Sequence, residues 1–323
     1  MTERKPTPEG VAAAAKRIAA AVVETPLLTL EWRGVRLRVK AECLQEGGSF
    51  KLRGATNRLL LLSPAERRRG VVAFSSGNHA QGVAIAARRL GIPATIVMPS
   101  DAPAVKREAT RAAGAEIVVY DRTTESREEI AGRLAEARGA ALVPSFDDVD
   151  VIEGQGSVGT EIARQLGAPP DRVLVPCGGG GLSAGIALAL PESHIVTVEP
   201  EGWDDMARSL EAGEPVPVIE PAPPTRCDAL QTKLVSPLTL GALRDRGASG
   251  VSVSESEVET AMAFAARHLR IVAEPGGAVA LAALLAGKAG PVTERTVVVV
   301  SGGNVDPELY AVIIGSQAAE VAR

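Results

Sequence analysis

The 323-residue chain has few of the residues that bind transition metals or form cross-links, with only three cysteines and three histidines. The cysteines, Cys43, Cys177 and Cys227, show no CxxC spacing and are odd in number, so neither a disulfide framework nor a structural zinc site is indicated. The histidines lie far apart in the sequence, which argues against a multi-histidine metal centre. Any chemistry of this protein is therefore expected to depend on other groups.

The sequence also lacks long runs of a single residue type. Its formal net charge is −4 without a long basic or acidic run, which argues against a nucleic-acid or membrane-surface partner. No stretch approaches the ~18 consecutive apolar residues of a membrane span, and Lys16 and Arg17 interrupt the segment where a signal peptide would be apolar. A content of 46% apolar residues suffices for sizeable cores at this length. We expect a cytoplasmic globular protein that acts on a small molecule.

Short apolar segments alternate with helix-like patterns along most of the chain, which is typical of parallel sheets with crossover helices. The predicted strands are 71–74, 94–98, 115–120, 172–176, 194–199 and 296–300. The predicted helices lie near 78–90, 103–113, 157–167, 182–190, 204–212 and 256–270. The five prolines within 215–224 predict an irregular connection. The pattern indicates an α/β protein with two parallel sheets, and ligands of such sheets bind beyond the carboxyl ends of the strands.

Four consecutive glycines, Gly178 to Gly181, follow the predicted strand 172–176 and precede a helix-like segment that begins at Leu182. Residues without a Cβ let backbone N–H groups close on an anion at the positive end of a helix dipole. A plain turn needs only one or two glycines, so the run favours a phosphate site. Neither the GxGxxG dinucleotide spacing nor the Lys-Ser/Thr of a nucleotide P-loop follows. The phosphate is therefore expected to belong to something other than NAD or ATP.

Two further predicted strands end in polar loops, 75–82 and 301–304. A lysine, Lys51, precedes both loops in the sequence. Lys51 lies in Ser-Phe-Lys-Leu-Arg-Gly-Ala, directly after Glu-Gly-Gly and before a predicted helix. For a lysine alone, a solvated surface amine is the ordinary interpretation. A phosphate cradle, a reactive amine and a polar serine at a strand end are together the parts that hold pyridoxal phosphate as a Schiff base.

These motifs and their order closely resemble those of the fold type II pyridoxal-phosphate enzymes, in the branch of threonine/serine dehydratases and serine racemases. The resemblance runs from Thr25 to Asn304 and includes Gly154-Gln155-Gly156-Ser157 between the lysine motif and the glycine run. It implies two open parallel-sheet domains of the tryptophan-synthase-β kind with the cofactor in the cleft. The large, cofactor-binding domain would comprise 1–55 and 148–323, and the small α/β domain 56–147. A homo-oligomer, dimer or tetramer, is also implied.

The resemblance implies roles for individual residues. Lys51 would form the Schiff base and take the Cα proton of the substrate. The residues implied to bind the cofactor are Phe50, Lys51, Asn78, Gly178, Gly179, Gly180, Gly181, Leu182 and Ser301. Ser301 would face the pyridine nitrogen, and the glycine loop would offer its amides to the phosphate. The residues implied to receive the substrate are Ser75, Ser76, Gly77, Asn78 and His79.

Ser76 is open to two interpretations. Lys51 can reach Cα from one face only, so a hydroxyl at Ser76 on the opposite face would be a second catalytic group and would permit racemisation. The other interpretation is that Ser76 helps to bind the substrate carboxylate, because serine is an ordinary residue at a helix start.

A candidate cation site follows the predicted strand 194–199. The spacing of Glu199, Trp203 and Asp205 is similar to the Mg²⁺ or Ca²⁺ site of serine-racemase-like enzymes, in which two carboxylates and the tryptophan-position carbonyl are ligands. The alternative is a strand-end carboxylate followed by a helix whose N-cap is Asp204.

The activity implied is a pyridoxal-phosphate-dependent ammonia-lyase that converts L-threonine and L-serine to 2-oxobutanoate and pyruvate with release of ammonia. The alternatives are a serine racemase, a 3-hydroxyaspartate dehydratase, or a catalytically silent module that binds the cofactor and amino acids. Two segments depart from the family pattern: 144–147 reads Pro-Ser-Phe-Asp instead of His-Pro-Phe-Asp, and 227–229 reads Cys-Asp-Ala instead of Ala-Asp-Gly. Both line the substrate side in relatives, so the substrate remains open.

Overall fold

The computed structural model describes residues 4–75, 77–102 and 104–321. The strands are β1 (Leu27–Trp32), β2 (Val35–Ala41), β3 (Val71–Phe74), β4 (Ala94–Pro99), β5 (Glu116–Tyr120), β6 (Ala141–Leu142), β7 (Arg172–Pro176), β8 (His194–Pro200), β9 (Ser249–Val253) and β10 (Thr296–Val300). The helices are α1 (Pro8–Ile18), α2 (Lys51–Leu60), α3 (Pro64–Arg69), α4 (Asn78–Leu90), α5 (Ala104–Ala112), α6 (Arg127–Arg138), α7 (Val149–Gln155), α8 (Ser157–Leu166), α9 (Gly181–Ala189), α10 (Asp205–Ala212), α11 (Pro237–Arg244), α12 (Glu255–Phe264), α13 (Pro275–Leu285) and α14 (Pro307–Val321).

The strands form two sheets, and both are mainly parallel. The larger sheet has the order β1-β2-β10-β7-β8-β9, in which only the edge pair β1 and β2 is antiparallel. The smaller sheet has the order β5-β4-β3-β6 and is parallel throughout. Strand β10 is buried along its whole length, because helices cover both faces of such a sheet. The predicted α/β class with two parallel sheets is confirmed.

Each of the predicted strands is present to within one residue at either end, and 215–224 forms neither helix nor strand. The helix predicted near 256–270 is α12 followed by a π-helical turn, Ala265–Leu269. The pair β1 and β2 is absent from the predictions. Strand β2 alternates apolar and basic residues, whereas mainly apolar runs predict the other strands named above. The division into domains 1–55 with 148–323 and 56–147 stays a prediction.

The loops singled out in the sequence follow the carboxyl ends of β3, β7 and β10. Strands β7 and β10 are hydrogen-bonded neighbours, so the glycine loop and the loop 301–304 leave the same edge of the larger sheet side by side. No helix within the described ranges is long and apolar enough to span a membrane.

Candidate active site

A pocket lies where these loops meet the N-termini of α2, α4 and α9. The predicted cofactor-binding residues line it: Phe50, Lys51, Asn78, Gly178, Gly179, Gly180, Gly181, Leu182 and Ser301. Other residues at its wall are Ser145, Phe146 and Glu274. A wider cleft opens from the pocket along Ser75, Gly77 and His79, so the structure brings the two predicted groups of residues together.

Lys51 is the first residue of α2, and its side chain points into the pocket wall formed by Ser145. Its Nζ donates to the Ser145 carbonyl oxygen at 2.9 Å and lies 5.1 Å from the centre of the Phe50 ring. Burial lowers the pKa of the Lys51 amine to about 8. The neutral amine is the nucleophilic form, so this environment suits attack on an aldehyde.

A buried ionic network anchors α2 behind Lys51. The fully buried Arg53 donates through Nε and Nη2 to both oxygens of Glu42, at 2.7 and 2.9 Å. Its Nη1 donates to Glu161 at 2.6 Å, and the fully buried Lys40 donates to the same carboxylate at 2.5 Å. Two cations and two anions offset the cost of burying each charge. The network ties α2 to the chain around β2 and to α8, and so holds Lys51 at the pocket.

The glycine loop has the form expected of an anion cradle. Gly180 is the N-cap of α9 and adopts φ +84°, a left-handed conformation that favours glycine. A Cβ on Gly179 would lie 2.3 Å from ring atoms of Phe146, so a side chain there would collide with the pocket wall. No side chain caps α9 within the described structure, which leaves the amides of its first turn, including Leu182, available to an anion.

Ser301, which follows β10, and Asn78, the first residue of α4, line the same pocket. Ser301 is 5% exposed, and its hydroxyl forms no hydrogen bond with another described residue. A serine hydroxyl can donate to a ring nitrogen without holding a proton on it. The Asn78 side chain donates from Nδ2 to Glu274 and accepts at Oδ1 from Asn304.

Glu274 is a pocket residue that the sequence reasoning missed. It is 2% exposed and directly precedes Pro275, the first residue of α13. A sequence signal existed, because Glu274 is the single charged residue in the otherwise apolar segment 271–287, and charged residues are rarely buried without a partner.

The predicted substrate loop lies at the mouth of the pocket. The Ser75 hydroxyl accepts a hydrogen bond from the Gly77 amide at 3.1 Å, which shapes the turn before α4. Ser76, the predicted second catalytic residue, lies outside the described residues. Its role stays a prediction from the sequence.

His79 is 2% exposed and has a defined tautomer. Its Nε2 donates to the Val143 carbonyl oxygen at 2.8 Å, since a carbonyl can only accept. Burial, and then the charge of Lys51, lower the pKa of the imidazole to about 3. His79 is therefore neutral near pH 7 and supplies no positive charge to a substrate carboxylate.

The predicted cation ligands lie between the end of β8 and the start of α10. Both oxygens of the buried Glu199 accept hydrogen bonds from α10, from the amides of Met206 at 2.8 Å and Ala207 at 2.9 Å. Asp204 occupies the N-cap position, but its side chain makes no capping hydrogen bond. Glu199 thus caps the helix in place of Asp204. The Trp203 amide donates to the Pro200 carbonyl at 3.0 Å and its indole Nε1 to the Pro223 carbonyl at 2.8 Å.

Asp205 is fully buried, and neither of its carboxyl oxygens has a hydrogen-bond partner within the described structure. Burial raises the pKa of Asp205 to about 7, and burial together with the Asp205 charge raises the pKa of Glu199 well above its usual range. A cation or a shared proton would offset the repulsion of this pair. The oxygen donors suit a hard cation, but no group of three or more Asp, Glu, His or Cys side chains placed to hold a metal occurs among the described residues. A bound Mg²⁺ or Ca²⁺ therefore stays a proposal.

Chelation and pH should reveal how this pair is neutralised. Folding raises the pKa of Asp205 above its unfolded value, so its contribution to stability is present below about pH 4 and is lost as pH rises through about 7. In a chelator, we expect the melting temperature of the wild type to fall between pH 5 and pH 8 by about 5 °C more than that of Asp205→Asn. Mg²⁺ or Ca²⁺ should restore the wild type at pH 8.

One outcome would argue against the cation, and another against the raised pKa of Asp205. A fall in melting temperature that neither ion reverses would assign a shared proton to Glu199 and Asp205. Identical pH profiles of the wild type and Asp205→Asn would contradict the raised pKa itself.

The chain is similar to known proteins over most of its length. The sequence profile of the family described as "pyridoxal-phosphate dependent enzyme" matches residues 18–303. The L-threo-3-hydroxyaspartate ammonia-lyase of Pseudomonas sp is 43% identical over 93% of this chain and 96% of its own length. A threonine deaminase from T.th. is 43% identical in sequence. Its crystal structure covers 93% of this chain and 99% of its own, with a TM-score of 0.85. Maize serine racemase is 34% identical in sequence. Its structure covers 99% of this chain and 100% of its own, with a TM-score of 0.88.

Proposed function

The chain belongs to the pyridoxal-phosphate dependent enzymes, and from that premise we propose that it is an ammonia-lyase that converts L-threo-3-hydroxyaspartate to oxaloacetate and ammonia. The sequence left this substrate as an alternative to L-threonine and L-serine. The relatives support the alternative better than the main interpretation, and an arginine at the cleft supports it independently.

That arginine is Arg127, the first residue of α6. Its Cζ lies 5.5 Å from the centre of the ring of Phe74, the residue that directly precedes Ser75 in the substrate loop. The Nε of Arg127 donates to Glu128 at 2.7 Å, whereas its two terminal nitrogens form no hydrogen bond with another described residue. A guanidinium fork with two available nitrogens is suited to a carboxylate. 3-Hydroxyaspartate has a carboxylate on Cβ, whereas threonine has a methyl group there.

The residues of the pocket fit the cofactor. Lys51 supplies the amine for the covalent link, the amides at the start of α9 face the phosphate position, and the Ser301 hydroxyl has no other described partner. When bound, pyridoxal phosphate withdraws electrons from the Cα of the substrate and so makes its proton removable. The amine of Lys51, once free of the cofactor, would accept that proton from Cα. In the net reaction, the Cα proton and the β-hydroxyl would leave as one water, and a second water would replace the amino group to give the 2-oxo acid and ammonia.

The other candidates differ from this proposal in their products. A threonine/serine ammonia-lyase would release 2-oxobutanoate or pyruvate, and a serine racemase would form D-serine, for which Ser76 is the predicted second proton carrier. A silent binding module would load the cofactor and release neither product. One panel of L-threo-3-hydroxyaspartate, L-threonine and L-serine therefore separates all of them.

Arg127→Met tests the substrate assignment. The Arg127 side chain is 47% exposed, so solvent screens its charge, and removing its contact to a carboxylate should lower kcat/KM for L-threo-3-hydroxyaspartate about tenfold. L-threonine has no carboxylate on Cβ, so its kcat/KM should change by less than about threefold. The matched control is Arg122→Met, because Arg122 lines the same cleft but is engaged with Asp101 at 3.0 Å.

Three results would decide against this role. Equal losses for both substrates in Arg127→Met would contradict recognition of the second carboxylate. A selective loss in Arg122→Met instead would transfer the carboxylate site to that arginine. Ammonia release from L-threonine alone would return the assignment to the threonine/serine enzymes.

A further inference from the structure

A chain of hydrogen bonds runs along one side of the pocket and joins three segments that are distant in the sequence. Asn304, after β10, donates from Nδ2 to Asn78 Oδ1 at 2.8 Å. Asn78, at the start of α4, donates from Nδ2 to Glu274 Oε1 at 2.5 Å. We call these three residues the amide chain. Its two ends, Asn304 and Glu274, have no role in the site as described so far.

The surroundings of Asn304 fix the orientation of its amide. Its Nδ2 faces three oxygens: the Gly47 carbonyl at 2.7 Å, Asn78 Oδ1 at 2.8 Å and Gln81 Oε1 at 3.3 Å. The Gly47 carbonyl oxygen can only accept, so an oxygen of Asn304 in that position would face an acceptor with no hydrogen between them. The assignment of nitrogen and oxygen in Asn304 therefore follows from the contacts.

The orientation of Asn78 follows from that of Asn304. One end of its amide meets an N–H donor, which requires Oδ1, and the other end meets the Glu274 carboxylate, which requires Nδ2. A flipped amide would place two donors together at one end and two acceptors together at the other. One of the two Nδ2 hydrogens is used by Glu274. The second remains on a side chain that lines the pocket.

Two glycines make room for the ends of the amide chain. A Cβ on Gly302 would lie 2.0 Å from Glu274 Oε1, and a Cβ on Gly48 would lie 2.2 Å from Asn304 Oδ1. The backbone amide of Glu274 also donates to the Gly302 carbonyl at 3.0 Å. Asn304 belongs to the loop 301–304 and Glu274 is hydrogen-bonded to that loop. The loop thus positions both residues that contact the Asn78 amide.

We propose that Glu274 and Asn304 are positioning residues that hold the Asn78 amide in one orientation, with its second N–H available to the 3′-oxygen of bound pyridoxal phosphate. Without them, the amide could turn and present Oδ1 to that oxygen, which would repel it. The inference rests on the proposed function and on the cofactor-binding role that the family resemblance implies for Asn78. It does not depend on which amino acid is the substrate.

A double-mutant cycle on the cofactor complex tests the link between Asn304 and Asn78. Cofactor dissociation constants and absorption spectra are measured without substrate for the wild type, Asn78→Ala, Asn304→Ala and the double variant. We expect Asn78→Ala to weaken cofactor binding about tenfold, Asn304→Ala to have a similar effect, and the double variant to add nothing to Asn78→Ala. Additive losses, or wild-type binding and spectrum in Asn304→Ala, would overturn the proposal.

Gln81→Ala is the matched control for this cycle. It removes another oxygen partner of Asn304 but leaves the bond to Asn78 in place. We expect its cofactor dissociation constant to stay within about threefold of the wild type. A loss as large as that of Asn304→Ala would overturn the proposal, because the effect would then not pass through Asn78.

A pair of Glu274 variants tests the other end and keeps the proposal falsifiable if Asn304→Ala does not fold. Glu274→Gln retains an oxygen that accepts from Asn78, so its cofactor affinity should stay within about threefold of the wild type. Glu274→Ala removes the acceptor and should match Asn78→Ala. Equal affinities of the two variants would overturn the proposal. Melting temperatures of the cofactor-free proteins report folding separately, and since no substrate is present, failure of the proposed ammonia-lyase activity would leave these results unchanged.

Discussion

Lys51→Ala is expected to lose the borohydride-reducible link to pyridoxal phosphate and to reduce turnover by about three orders of magnitude or more. Lys51 combines two roles in the account, since its amine both holds the cofactor and takes the Cα proton. Its pKa of about 8, lowered by burial, makes the neutral amine accessible near neutral pH. Mass spectrometry of the reduced protein should place the pyridoxyl group on the peptide that contains Lys51.

Lys233→Ala is the matched control for this experiment. Lys233 lines the same cleft, but its side chain is 75% exposed and pairs with Glu220 at 2.8 Å. It should retain both the reducible link and turnover. A pyridoxyl group on Lys233 or on any other lysine, or undiminished turnover in Lys51→Ala, would contradict the assignment.

Gly180→Ala is expected to weaken cofactor binding about 100-fold, because Gly180 sets the path of the glycine loop into α9. Its φ of +84° is costly for alanine, by about 1 to 2 kcal/mol. An added Cβ would also lie 2.4 Å from Met206 Cε and 3.0 Å from Thr239 Cβ, so the loop must shift. Such a shift would displace the amides that we expect to bind the phosphate.

Gly213→Ala is the control that separates the cost of a positive φ for alanine from the effect of the substitution on the phosphate-binding glycine loop. Gly213 follows α10 with φ +77°, and nothing lies within 4 Å of its added Cβ. Both variants should lower the melting temperature of the cofactor-free protein, but only Gly180→Ala should raise the cofactor dissociation constant. The same dissociation constant in the two variants would mean that the glycine loop does not hold the phosphate.

The parts of the fold that the sequence predicted are those with strong local signals. Strand β7 leads through Cys177 and the glycine run into α9, and β10 is a continuous apolar run. Local patterns therefore predict each of these elements. The sheet order and the antiparallel β1 and β2 depend on pairing between distant segments, which no local pattern contains. The sequence motifs also predicted which residues line the pocket, whereas the roles of these residues stay predictions.

Contacts between distant residues account for what was missed at the site. Glu274 and Asn304 meet Asn78 across 196 and 226 positions, and neither contact can be inferred from spacing. Arg127 is one of many arginines in the sequence, and only the position of its guanidinium beside Phe74 distinguishes it. The alternative interpretation placed the cap of α10 at Asp204, but Glu199 caps the helix, because strand β8 places that carboxylate against the helix end.

The most direct test of the central claim is the rate of ammonia release by the cofactor-loaded wild type, measured with L-threo-3-hydroxyaspartate, L-threonine and L-serine under the same conditions. Oxaloacetate should form together with ammonia from the first substrate. The account predicts a kcat/KM for L-threo-3-hydroxyaspartate at least about tenfold above those for the other two, since only this substrate offers a second carboxylate to Arg127. A higher kcat/KM for L-threonine or L-serine, or formation of D-serine without ammonia, would contradict it.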